Sequence, residues 1–180
     1  MNFGQRLCGH LQTVHEHRRI VRQLCFSLGL YHQGWTHDLS KYSLSELIPS
    51  VRYYQGNRSP YMREKELFGY SSGWLHHKGR NRHHWEYWYD MINGVWTPLE
   101  MPYRFVLEMV CDRIAACKVY QKEKYTDASP LQYYLSRNDR RYMHPATAAQ
   151  LERLLRLLQE AGETQAFAQM KESLKSEKPL

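Results

Sequence analysis

The chain has 180 residues, of which 42% are hydrophobic and 13% aromatic, too apolar for disorder and enough for one domain with a sizeable core. Neither a run of about twenty apolar residues nor a signal-like apolar stretch follows Met1, so a cytoplasmic protein that spans no membrane is expected. A formal charge of +7 at pH 7 favours an anionic partner but does not by itself mark a nucleic-acid binder.

In chain order, residues 10 to 30 place Leu11, Val14, Ile20, Val21, Leu24, Cys25 and Leu28 at spacings of three and four before Gly29, which predicts an amphipathic helix with a glycine stop. His17 falls on its inward side. Residues 36 to 54 read as a second helical region, with Ser43 and Glu46 spaced as a capping box and Pro49 as a kink or break. His37 and Asp38 then sit just upstream, near a helix junction. Residues 55 to 64 have the Gly, Asn, Ser and Pro content of a loop, placed to act as a lid.

From Gly73 to about Ile92 the spacing predicts a helix in which Trp74, His77, Asn81, His84 and Trp88 form one stripe, with His76 and His83 beside it. Asn93-Gly94 punctuates. Pro102 opens a core helix running to about Cys117, apolar nearly all round, on which Glu108 and Asp112 share one face. Two carboxylates on a buried helix are costly without a cation or hydrogen-bond partners. Residues 126 to 145 read as a turn, a short helix and a connection. Thr147 to Glu160 and about 163 to 175 read as helices on either side of Gly162, followed by a polar tail. No alternating strand and no repeat is evident. The four cysteines, Cys8, Cys25, Cys111 and Cys117, lack metal-knuckle spacing and are expected to be reduced thiols. The expected architecture is all-α: one domain over residues 1–180, a bundle of six to eight helices with a metal-site core over 10–120 and C-terminal helices over 126–175.

The chemistry concentrates in few residues. Nine of the ten histidines lie in the first 84 positions, and the adjacent pair His37-Asp38 is followed by His76-His77, His83-His84 and Asp112. Imidazole and carboxylate are the ligands that borderline and hard divalent cations take. Lys41, one turn after Asp38, is placed to meet an anion, because an ammonium has donors but no lone pair. One member of each later histidine pair is expected to face the site. Asn81 is expected to cap or bridge, or to orient a histidine. Trp74, Trp85, Tyr87 and Trp88 read as core, and His10, His15, His32 and His144 as ordinary surface or core histidines. Arg18, Arg19, Arg22, Arg80 and Arg82 read mostly as solvated, although Arg80 and Arg82 flank the histidines and could meet an anion.

The order His17, His37-Asp38, Asp112 resembles the HD superfamily of metal-dependent hydrolases, in which a histidine, an adjacent His-Asp and a distant Asp bind a divalent metal. His37-Asp38-Leu39-Ser40-Lys41 also resembles the form of that motif found in HD-GYP-type proteins and HD oxygenases, where further histidines hold a second metal. That resemblance points to His77 and to His83 or His84. The Gly-Tyr-Pro element is absent, and His77 and His84 are only seven apart, so cyclic dinucleotide hydrolysis is not implied. A closer resemblance, over most of residues 15 to 120, is to a bacterial and phage family known as a domain of unknown function. It rests on residues 37 to 46, on Trp74 to Trp88 and on Met101 to Asp112.

These resemblances imply an HD-like helical domain that holds one or two divalent ions (Fe, Mn or Zn) on His17, His37, Asp38, His77, His84 and Asp112. Lys41 would neutralise developing charge, and His83 or Glu108 would move protons, in hydrolysis of a phosphorylated small molecule or nucleotide. A mixed-valent di-iron oxygenase and a non-catalytic binding protein with a structural metal are the alternatives.

Overall fold

The computed structural model describes residues 1–176. It contains eight α-helices and one small hairpin, and no helix among these residues is long and apolar enough to cross a membrane. Helix α1 (Phe3–Leu28) starts at an Asn2–Gln5 capping box and stops at Gly29 in the left-handed region. It therefore begins about two turns before the expected start. Helix α2 (Tyr31–Thr36) follows, then a 3₁₀ turn (Leu39–Tyr42) and α3 (Leu44–Tyr53). The expected single helical region over 36 to 54 is thus broken at the His-Asp pair. Ser43 is the N-cap of α3, but its side chain makes no capping bond, and Glu46 is buried. Pro49 is accommodated within α3.

The expected loop is shorter than 55 to 64: α4 (Pro60–Phe68) already begins at Pro60. Arg58 ties the loop down through Gln55 and a two-pronged bond to Glu66. Helix α5 (Ser72–Arg80) ends at Asn81, whose backbone is extended. The helix expected to run to Ile92 therefore stops twelve residues early. A 3₁₀ turn (Trp85–Tyr87) leads into an unexpected hairpin, β1 (Tyr89–Ile92) and β2 (Val95–Pro98), antiparallel with Met91 opposite Trp96. Asn93 and Gly94 both have positive φ, as a tight two-residue turn between twisted strands requires. The lack of alternation hid these strands, since Met91, Ile92, Val95 and Trp96 are all exposed.

Helix α6 (Tyr103–Gln121) is the central element, with ten buried residues out of nineteen. It packs between α1 and α8 (Pro145–Lys175), while α7 (Ser129–Ser136) closes one side. The core is built from Val21, Leu24 and Leu28 of α1, Val106, Leu107, Val110 and Ile114 of α6, and Leu151, Leu154, Leu155 and Leu158 of α8. Each buried aliphatic side chain of this size contributes about 1.5 to 3 kcal/mol. Helix α8 breaks at Gly162, with φ 76° and ψ 162°, where two helices were expected. The expected polar tail lies, from residue 177 on, outside the described residues. All four cysteines are free. Trp85 and Trp88 are partly buried and pack against this core, as expected; Trp74 is partly buried, and Tyr87 is 37% exposed and thus no core residue.

Candidate metal centre

Five segments bring the titratable residues together. His17 comes from α1, His37 and Asp38 from the break between α2 and the 3₁₀ turn, His77 from α5, His83 and His84 from the turn after it, and Glu108 and Asp112 from α6. The break is built for presentation. Asp38 has φ 56°, a left-handed conformation that Asp tolerates better than most residues. It aims the carboxylate into the protein directly after His37. Arg18 holds this turn by donating from Nε to the His37 carbonyl at 2.8 Å and from a terminal nitrogen to the Trp35 carbonyl at 3.1 Å. Arg18 is therefore structural here, and not a solvated residue as its sequence context implied.

Asp38 is fully buried and stands between two clusters. On one side are His17, His37 and Asp112. His17 Nε2 lies 3.0 Å from Asp112 Oδ1, 3.3 Å from His37 Nε2 and 3.6 Å from Asp38 Oδ2. His37 Nε2 lies 3.4 Å from both Asp38 Oδ2 and Asp112 Oδ1. On the other side, His77 Nε2 and His83 Nε2 lie 3.3 and 3.4 Å from Asp38 Oδ1, and His84 completes the group. Donors about 2.1 Å from a common ion are separated by about 3.0 to 3.5 Å at angles between right and tetrahedral. Both clusters could hold an ion on that spacing.

The polar atoms themselves support the fit. Both Asp38 oxygens and the Nε2 atoms of His83 and His84 are buried without a hydrogen-bond partner. Lys41 Nζ lies 2.7 Å from Asp38 Oδ2, but without hydrogen-bond alignment. Leaving a buried polar group unpaired costs about 1 to 3 kcal/mol, more when it is charged, and the three of these atoms that Lys41 does not meet are compatible with a bound cation. The protonation pattern is divided: burial would lower His37, but Asp38, Asp112 and Glu108 overcome it and hold that imidazole well above its ordinary pKa, while three other histidines of the cluster are lowered. Burial, then the charges of His83 and His77, holds His84 well below its ordinary pKa, in the neutral form that has a lone pair to give. Burial also lowers His17 and His77. Burial would raise Asp38, but His37, Lys41 and His77 overcome it and hold the carboxyl well below the usual range. Asp112 is likewise held ionised against burial by His17 and His37.

Behind the histidines stand two further carboxylates. Glu108 Oε1 lies 2.9 Å from His37 Nδ1 and 3.2 Å from His83 Nδ1. Glu46, fully buried, takes His76 Nδ1 at 2.8 Å on Oε1 and His77 Nδ1 at 2.7 Å on Oε2, with the Tyr61 hydroxyl donating at 3.1 Å. Asn81 bonds Ser40 Oγ and the His77 carbonyl, the bridging role expected of it.

All nine residues singled out from the sequence, namely His17, His37, Asp38, Lys41, His77, His83, His84, Glu108 and Asp112, are therefore gathered at one site. Three details differ from expectation. His83 and His84 both face Asp38, where one of the pair was expected to. Glu108 meets histidines on the side away from Asp38, and its acid partner in that role, Glu46, was read only as a helix cap. The signal that could have found Glu46 is its spacing: it shares the inward face of α3 with Ser50, four residues on. His10 is buried and His144 caps α8 through a bond from the Ala146 N–H; neither joins the cluster.

A family model described as a family of unknown function, DUF5662, matches residues 7–157, and the chain belongs to that family. The match contains every residue of the cluster and ends within α8, before Gly162. No curated protein and no solved structure matches.

Proposed function

We propose that the protein is a metal-dependent phosphohydrolase of HD type, acting on a phosphorylated small molecule or nucleotide. The observation that carries this reading is the buried Asp38 carboxylate, whose two oxygens face two separate sets of imidazole nitrogens. His17, His37, Asp38 and Asp112 would hold one divalent ion; His77, His83, His84 and the other Asp38 oxygen would hold a second. Ions so placed supply Lewis acidity toward a phosphoryl oxygen and make water acidic enough to attack near neutral pH. The chain's own residues supply the rest. Lys41, with its side chain 18% exposed beside Asp38, presents the positive charge that meets the substrate anion. Asp112, the most accessible carboxylate of the cluster at 19% side-chain exposure, marks the side from which substrate enters.

The same donor set favours a second reading, a di-iron oxygenase of HD type, because histidine and carboxylate ligands suit iron, manganese and zinc alike. Elemental analysis of protein purified without added metal, with turnover of a generic phosphoester, separates the two. Zinc or manganese at stoichiometric level with phosphoester cleavage is the expected result. An oxo-bridged iron spectrum without cleavage would replace the first reading by the second, and metal-dependent stability without any turnover would leave a structural site.

A further inference from the structure

The two carboxylates behind the histidines are not equivalent. Glu108 places a single oxygen, Oε1, on one histidine from each cluster: His37 at 2.9 Å and His83 at 3.2 Å. Glu46 serves only the second cluster, through His77 at 2.7 Å, and spends its other oxygen on His76, which stands outside both clusters. A carboxylate on Nδ1 keeps the proton there, and so leaves the Nε2 lone pair free to face Asp38. It also stops the ring from rotating. His37 and His77 are fixed in this way by hydrogen bonds and His83 by its 3.2 Å contact with Glu108, and all three turn Nε2 toward an Asp38 oxygen.

We propose that Glu46 and Glu108 are positioning residues that divide the loading of the centre between them: Glu108 sets both metal subsites, and Glu46 sets only the one built on His77, His83 and His84. This rests on the metal-centre reading. The front of the centre couples the subsites through the shared Asp38 carboxylate, and the back couples them through the shared Glu108 oxygen. Glu46 lies outside that coupling. The geometry therefore assigns different losses to the two residues, although both are buried glutamates paired to two histidines.

The test is a titration of the chelator-treated full chain with Co²⁺ alone, reading equivalents bound and the ligand-field absorption. The wild type should take two equivalents. Glu46→Leu should bind the first normally and the second about 10- to 100-fold more weakly, the range usual for removing a partner behind a metal ligand. Glu46→Gln should restore the second, because its amide oxygen still accepts from His77 while its nitrogen faces the partly exposed His76. Glu108→Leu should weaken both equivalents. A purely structural role would lower the melting temperature without selecting one equivalent. If Glu46→Leu does not fold, Glu46→Ala removes the same acceptor and leaves room for water. Two equivalents at wild-type affinity in the Glu46 variant, or equal loss of both, would overturn the inference and leave the metal reading standing, as would a single equivalent in the wild type. No Co²⁺ bound by the wild type would overturn both.

Discussion

Asp38 carries more of the site than any other residue, since each of its oxygens faces a different histidine cluster. Asp38→Ala should therefore remove most of the metal from both subsites, and His37→Ala most from the first; metal content by elemental analysis checks this, and unchanged content in both variants would dismiss the centre. Lys41 differs in kind. Lys41→Met should keep the metal load while losing turnover or anion affinity, at a transition-state cost of about 2 to 4 kcal/mol. Metal loss equal to that of Asp38→Ala would show that the ammonium serves the metal site alone. His10 makes a prediction about pH. Burial, aided by the charge of Lys41, lowers its pKa to about 4, below the ordinary value near 6.5, so the unfolded chain takes up a proton before the folded one does. Its contribution is intact above pH 6.5 and is lost as pH falls toward 4, by about 3 kcal/mol in all. Comparing urea denaturation of metal-free wild type and His10→Leu at pH 7 and pH 4.5 should show the wild type losing more stability; an equal loss in both would contradict the assignment.

Among the elements, α1 and α6 were legible because their apolar spacing is long and their ends are marked by Gly29 and Pro102. Helix α5 was overextended for a physical reason. The spacing of Trp74, His77, Asn81, His84 and Trp88 is helical, but Asn81 leaves the helix to bond Ser40 and the His77 carbonyl. That departure is what turns both His83 and His84 toward Asp38. The hairpin escaped notice because its strands have only four residues each and no buried face. Gly162 was read as a helix end, and the break has a testable energy. Its φ of 76° with ψ of 162° lies in a region reached almost only by glycine, while the next residue donates its N–H to Asp127 at 3.1 Å. Gly162→Ala should destabilise by about 1 to 3 kcal/mol, lowering Tm by roughly 2 to 4 °C per kcal/mol in a chain of this size. A thermal melt with unchanged Tm would show that the break relaxes freely.

At the scale of the molecule, the centre joins α1, the turn after α2, α5 with its following turn, and α6, so metal should act as a clasp on the whole fold. An ion bound only by the native state adds about 2.7 kcal/mol at one hundred times its Kd. Chelation should then lower Tm by about 5 to 10 °C, and Asp112→Asn should lose much of that response. Indifference of the wild type to chelator would show that the cluster is not clasped by metal. Read residue by residue, the chain yields an inventory: an all-α bundle with its apolar stripes, the His-Asp pair, the later histidines and two carboxylates on one face of a buried helix. These are legible because periodicity and residue chemistry are local properties. The pairing emerges when the helices pack. Packing turned Glu46 from a cap into a partner of His76 and His77, set Glu108 behind His37 and His83, and made Arg18 a brace for the turn at His37. These contacts join residues 19 to 71 positions apart, and nothing in the local pattern of a helix records which distant donor its inward carboxylate will meet.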